Sequence, residues 1–523
     1  MVQEKKDDGD SSNILFTSIS RKSLIVLANY AITGIIGIIS WKIVSTGLPQ
    51  RTVGTVEFAI GFLGLLSFIT TLGFGSSHIK RISEGKDLGR CIGTYLSIQG
   101  FLNIMFIVVV IISIFSWKYI IGKGFETPQH ERVVYLMVLY FISVKMADVP
   151  LHTFTAKVET AKNQFVILSG TFIQLITTIV IVSLSDSPYL YAATFIVGAF
   201  FNFTLSYIML SRYPIKLPQW SLFKSYFKFA LPITIISLLG TIPTNIDRVM
   251  IQLFWSAIDV AIYTGGQKFT FYLIQISTNL GLILFPVFSS LKSNNDSHGI
   301  KNIVYKSERL LAIIITPLSV ILFTLAIPIV TLLGDVSYRE SYLVLQPLAI
   351  WGFLRSMINP YRNMLMGLGK PNILLGISVV SIIAIVLFNI ILIPEDIKLI
   401  GLQMFGLGAR GAALATLLST IISFILIRTI SYYYEKVIIN TEIIKPILLS
   451  ILMGIIIHFF QRIVQVENII YLGLYGILGL AIYLFLLWIF GAIKKEDKIL
   501  FKEIFNPSLF INYLKEEFSK KHK

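Results

Sequence analysis

The sequence predicts an all-α integral membrane protein with about fourteen transmembrane helices. Three observations predict it. Of 523 residues, 55% are hydrophobic and only 14% charged, with a mean hydropathy of +0.78. Apolar runs of roughly 20 residues, the length that crosses a bilayer, recur along the whole chain. Lysine and arginine alternate between rich and poor from one connecting loop to the next.

The elements follow in order. Residues 1–23 are polar and read as a disordered tail with no cleavable signal peptide. Spans are expected near 24–44, 55–75, 92–116, 133–155, 164–184 and 188–211. Six more fall near 226–254, 259–290, 310–333, 343–366, 373–394 and 409–431. Two further spans lie near 444–464 and 468–490. With both ends placed in the cytoplasm, 30 of the 44 lysines and arginines fall on the inner side and 8 on the outer. The net charge of +16 therefore reads as a topology signal, and nucleic acid is excluded as a partner. The basic, partly apolar tail at 491–523 is either a leaflet-bound amphipathic segment or a solvated tail. One cysteine, Cys91, excludes an internal disulfide and a Cys-rich metal motif, and no metal site is expected. Cys91 and His458 read as ordinary core residues.

An internal repeat organises the spans. "VKMADVPLHTF" from Val144 and "LRSMINPYRNM" from Leu354 match at an offset of 210. Lys145 then aligns with Arg355, Pro150 with Pro360, and His152 with Arg362. Each match is followed by a short basic turn and two long apolar spans. Residues 24–211 and 212–431 thus read as two six-span lobes in the same orientation, a parallel repeat, with 432–490 as an addition.

Charges in a membrane face a cavity or a partner. At helical spacing, span 7 carries Thr241, Asn245, Arg248 and Gln252 on one face. Span 8 carries Thr264, Lys268, Tyr272, Gln275 and Asn279. Span 10 carries Arg355, Asn359, Arg362 and Asn363, and span 4 carries Lys145, Asp148, His152 and Thr155. Four polar stripes are expected to line a shared wet interior. Its cations outweigh Asp148 and Asp247, which suits an anion, and arginine in particular suits phosphate. Asp247 and Arg248 lie about 100° apart around the helix, so each either fixes packing against a neighbouring helix or faces the interior. Lys42 is expected to snorkel toward the outer end of span 1, and Glu57 and Glu159 to be solvated near span ends.

Several stretches carry a resemblance. They are "TGLPQRTVGTVEFAIGFLGLLSFITTLGFGSS", "NIDRVMIQLFWSAIDVAIYTGGQKF", "GLGKPNILLGISVVSIIAIVLFNIILIP" and "GARGAALATLLSTIISFILI". Over most of residues 20–430 the chain resembles the Wzx-type polysaccharide-repeat-unit flippases of the multidrug/oligosaccharidyl-lipid/polysaccharide exporter superfamily. The resemblance implies two lobes around a central cavity, alternating access, and a polyprenyl-diphosphate-linked oligosaccharide as cargo. On that reading Arg248, Lys268, Arg355, Arg362, Lys145 and His152 meet the diphosphate and acidic sugars. Asn245, Gln252, Gln275 and Asn359 meet sugar hydroxyls, and Asp247 and Asp148 gate or couple. No cofactor is expected beyond a coupling H+ or Na+. Partners are the lipid-linked oligosaccharide, membrane lipids and other glycan-assembly proteins, at the cell membrane. Rival readings are a cation-coupled multidrug exporter and, from another class, a membrane glycan polymerase or glycosyltransferase. An enzyme is disfavoured because no loop is large enough for a catalytic domain.

Overall fold

The structure, a computed structural model, describes residues 7–120, 122, 125–397 and 401–492, with side chains described at residue 26 and from residue 28 except at 231–233, 235–238, 279–283 and 285–286. Asn279 and the tail beyond residue 492 lie outside what is described. The long helices coincide with the expected runs. They are α1 (Asp7–Gly47), α2 (Gln50–Leu66), α3 (Leu88–Phe115), α4 (Pro128–Ala156), α5 (Thr160–Leu184) and α6 (Pro188–Leu210). Next come α7 (Trp220–Phe254), α8 (Ala257–Ser293), α9 (Ser297–Thr324), α10 (Tyr342–Gly367), α11 (Pro371–Leu392) and α12 (Gly408–Glu435). Last are α13 (Ile444–Ile463) and α14 (Ile469–Ile489).

Among the described residues, ten helices are long and apolar enough to cross a membrane, or eleven with one bent pair. Of the long helices described throughout, α10, which carries Arg355, Asn359, Arg362 and Asn363, does not meet this criterion. The chain is a multi-pass membrane protein. At the start, α1 is helical from Asp7, so residues 7–23 of the segment expected as a disordered tail continue the first helix, and residues 1–6 lie outside what is described.

Packing repeats between the halves. In each, the fourth helix packs on the second, third and sixth, the fifth packs on the sixth, and the first packs on the fifth. These are α4 and α10 at the two lobe centres, with α1 and α7 as the crossing helices. Between lobes α2 meets α8, and α1–α8 mirrors α7–α2. The helix pair α13–α14 lies outside this scheme, held to α9 by Arg309, which donates to Glu442 at 2.6 Å and to the Ala492 carbonyl at 2.8 Å.

Irregular backbone within a span must find donors and acceptors inside the protein. The chain bends by 50° between Leu66 and Phe68 and continues as the short helices Phe68–Thr71 and Phe74–Ser83, with Gly73 left-handed between these two. The carbonyls of Thr70 and Leu72 accept from Gln99 at 3.3 Å and Thr234 at 3.1 Å. In α4, Pro150 has no N–H for the Met146 carbonyl, and the Tyr207 hydroxyl of α6 donates to it at 3.2 Å. At its other end, α8 starts from Ser256, whose hydroxyl accepts from the Asp259 amide at 3.4 Å.

Candidate functional site

A cavity of about 700 Å³ opens between the lobes. Its wall comes from α1, α2, α4, α5 and α6 on one side and α7, α8, α10, α11 and α12 on the other. It runs from Glu57 and Trp41 toward Met366 and Pro371, near the opposite end of the C-lobe. Four cations, Arg248, Lys268, Arg355 and Arg362, and two carboxylates, Glu57 and Asp247, line it. Tyrosines, tryptophans and glutamines fill the intervals, among them Tyr140, Tyr191, Trp351, Gln174 and Gln267.

The six charged groups differ in what they touch. Arg355 and Arg362, two turns apart on one face of α10, make no hydrogen bond or ion pair to another described residue. Their spacing along the helix is roughly 10 Å. Arg248 donates to the Gln267 side chain at 2.7 Å and lies 3.7 Å from Glu57. Lys268 lies 3.1 Å from the other Glu57 oxygen and over the Trp41 ring, 4.9 Å from its centre. Asp247 is buried and accepts three hydrogen bonds: Tyr263 at 2.5 Å, Thr416 at 2.6 Å and Asn389 at 2.8 Å. It therefore ties α7 to α8, α12 and α11.

The remaining expected residues lie elsewhere. Lys145 is 3.4 Å from Asp148 and donates to Thr71 at 3.3 Å, inside the N-lobe. His152 meets the Tyr95 hydroxyl at 3.0 Å. None of the three lines the cavity; each is engaged within its own lobe. The span 4 stripe thus leaves the expected shared interior. Asn245 donates to the Thr241 carbonyl and the Thr244 hydroxyl, each at 3.0 Å, beside Gly64 of α2. Gln252 donates to Glu126 at 2.8 Å at the cavity's closed end. Asn359 donates to Ser277 at 2.6 Å and joins α10 to α8, and Gln275 is half-buried outside the lining.

Glu57 is the group that sequence reasoning misplaced. It is 3% exposed, not solvated. The helix α2 begins at Gln50, directly after Pro49, and so carries Glu57 two turns inward. The signal available was a lone carboxylate on an otherwise apolar face. Its neighbours Gly54, Gly61 and Gly64 have no room for a side chain: a Cβ at Gly54 would fall 1.6 Å from the Ala257 carbonyl oxygen. The two lobes approach closely along this glycine face. Glu159, also expected in solvent, is half-buried and bonded to Tyr213 and to Lys162. Lys42 does not snorkel; it donates to the Gly334 carbonyl at 2.7 Å. Cys91 is buried as expected, whereas His458 is on the exposed face of α13.

Comparison with known proteins agrees with this architecture. A family model described as "Polysaccharide biosynthesis protein" matches residues 49–342. The chain is 22% identical over 412 residues to the teichuronic acid biosynthesis protein TuaB of Bacillus subtilis, covering 74% of this chain and 77% of that one. It is 27% identical over 214 residues to an uncharacterized membrane protein of Methanocaldococcus jannaschii, covering 39% of this chain and 40% of that protein's length. Among solved structures, the lipid II flippase MurJ in an inward closed conformation superposes with a TM-score of 0.67 at 14% identity, over 90% of this chain and 98% of that one. An inward-facing multidrug-resistance transporter of the MATE family gives 0.61 at 15% identity, over 80% of this chain and 99% of that one. The chain belongs to the polysaccharide biosynthesis protein family and has the all-α membrane fold of the multidrug/oligosaccharidyl-lipid/polysaccharide exporter superfamily.

Proposed function

We propose that the protein moves a polyprenyl-diphosphate-linked oligosaccharide from the cytoplasmic to the outer leaflet of the cell membrane by alternating access, with both termini cytoplasmic. The observation that carries this reading is the uncompensated arginine pair, Arg355 and Arg362, in a cavity between two lobes. Two guanidinium groups without acceptors among the described residues favour a multi-oxygen anion such as a diphosphate. The aromatic and amide groups deeper in the cavity suit the glycan. Membership in a polysaccharide biosynthesis family supports the same class of cargo. A cationic drug would meet this arginine pair unfavourably, which disfavours the multidrug reading.

In this scheme Asp247 serves coupling. A proton or Na+ that competed for its carboxylate would release Tyr263, Asn389 and Thr416 and loosen four helices of the C-lobe.

The test is translocation in proteoliposomes. An undecaprenyl-diphosphate oligosaccharide is placed in one leaflet and its access to an impermeant lectin is followed. Each charged hydrogen bond contributes about 1.5–3 kcal/mol, so Arg355→Gln with Arg362→Gln is expected to cut transfer by roughly 100-fold or more. Wild-type transfer by that double variant, correctly inserted, would overturn the reading.

A further inference from the structure

The cavity ends at a seal made between the lobes. Lys42 donates to the Gly334 carbonyl and Gln50 to the Ser337 carbonyl, each at 2.7 Å. Glu126, in the connection between α3 and α4, accepts from Gln252 at 2.8 Å and from the Ala257 amide at 2.7 Å. Trp41 packs edge-on against Tyr338, with ring centres 5.0 Å apart. Just inside this seal sits Glu57. It is an N-lobe carboxylate with both oxygens turned to C-lobe cations, Lys268 and Arg248.

We infer that Glu57 is an internal stand-in for an anionic group of the cargo, and that Lys268 and Arg248 form a second anion subsite which the cargo opens by displacing it. The inference rests on the flippase reading for the identity of the cargo. Three features support it. First, the cations are incompletely served. Arg248 Nε is buried without an acceptor, and its nearest contact to Glu57, at 3.7 Å, exceeds a hydrogen bond. An anion not tethered to α2 could approach both cations more closely and serve them better. Second, the site is reachable: the Lys268 side chain is 34% exposed, and Glu57, Arg248 and Lys268 all line the cavity. Third, Glu57 alone faces these cations, because Asp247, the other carboxylate in the lining, is turned to Tyr263, Thr416 and Asn389.

The arrangement has a mechanical consequence. Parting α2 from α7 and α8 without a ligand would leave one carboxylate and two cations unpaired in a poorly solvated site, a costly state. An arriving anion removes that obstacle by taking over Lys268 and Arg248. The empty protein therefore stays sealed, and the loaded one opens. The chemistry is that of a phosphate or carboxylate. Its source is either the diphosphate of the carrier or the carboxylate of an acidic sugar.

Spin labels test this on the full chain in nanodiscs. Thr46→Cys and Val336→Cys place labels at exposed positions on either side of the seal, and the native Cys91 is buried. Distances are recorded alone, with farnesyl diphosphate, and with trigalacturonate. The unliganded wild-type protein is expected to show a short distance. A shift with farnesyl diphosphate assigns the subsite to the diphosphate; a shift with trigalacturonate alone assigns it to an acidic sugar. Glu57→Gln is expected to raise the open fraction without any ligand by at least about tenfold. Should Glu57→Gln fail to insert, Lys268→Gln removes the other half of the pair and is expected to open the seal in the same direction. A protein that remains sealed in whichever of these variants inserts would overturn the inference. Calorimetric binding of farnesyl diphosphate separates the two ideas. If wild type does not bind it, the carrier-diphosphate reading fails, while ligand-free opening by Glu57→Gln still decides the stand-in role.

Discussion

The repeat places α4 of the N-lobe and α10 of the C-lobe in equivalent positions, yet their basic residues meet different fates. Lys145 and Arg355 align, as do His152 and Arg362. Lys145 turns to Asp148 and Thr71, and His152 to Tyr95. Arg355 and Arg362 face the cavity without an acceptor among the described residues. The difference lies one turn along the helix. At the offset of 210, Asp148 corresponds to Ile358. An acid at i+3 satisfies its base locally and leaves it nothing to offer a ligand; an isoleucine there leaves the base available. A repeated framework thus becomes functionally asymmetric through single residues, and the C-lobe carries the anion chemistry.

The strongest attempt to break this comparison exchanges the two lobes' bases. Arg355→Gln with Arg362→Gln is expected to weaken farnesyl diphosphate binding by about 100-fold with little change in thermal stability. Lys145→Gln should do the reverse, lowering the melting temperature in detergent while leaving binding within about twofold, because it strips Asp148 of its partner in a part-buried site. Equal losses of binding from both lobes would mean that the cavity is shared symmetrically after all. A smaller effect should follow from Ile358→Asp, which supplies the C-lobe with the acid it lacks. It is expected to pair Arg355 internally and weaken the diphosphate by roughly tenfold, a charged hydrogen bond's worth; tighter binding would break the explanation. The smallest effect belongs to the proline shared by both helices. Tyr207→Phe removes the donor to the Met146 carbonyl beneath Pro150 and should cost about 0.5–1.5 kcal/mol of stability, read by melting, with transport retained.

Much of this was legible in the chain. Apolar length located the long helices, since a bilayer demands about 20 apolar residues whatever the fold. The Lys-x-x-x-x-Pro spacing exposed the repeat, and intramembrane charge singled out Arg248, Lys268, Arg355 and Arg362. Helical periodicity could not say which polar stripes face one another. Asn245 and Asn359 share their faces with cavity arginines, yet they bond within α7 or to α8, because each sits where a neighbouring helix closes on it.

What the sequence by itself determined was therefore the membrane class, the helices, their repeat and an excess of buried cations. All of these follow from local composition and from spacing along one helix. The tertiary structure alone decided which cations remain unsatisfied. Compensation is a matter of distance between side chains remote in sequence, as with Glu57 and Lys268, 3.1 Å apart across two lobes. That distance exists only because the glycine face of α2 lets α7 and α8 come close. A charge-pair energy falls off with separation and rises as water is excluded, and both quantities are set by packing, not by sequence order.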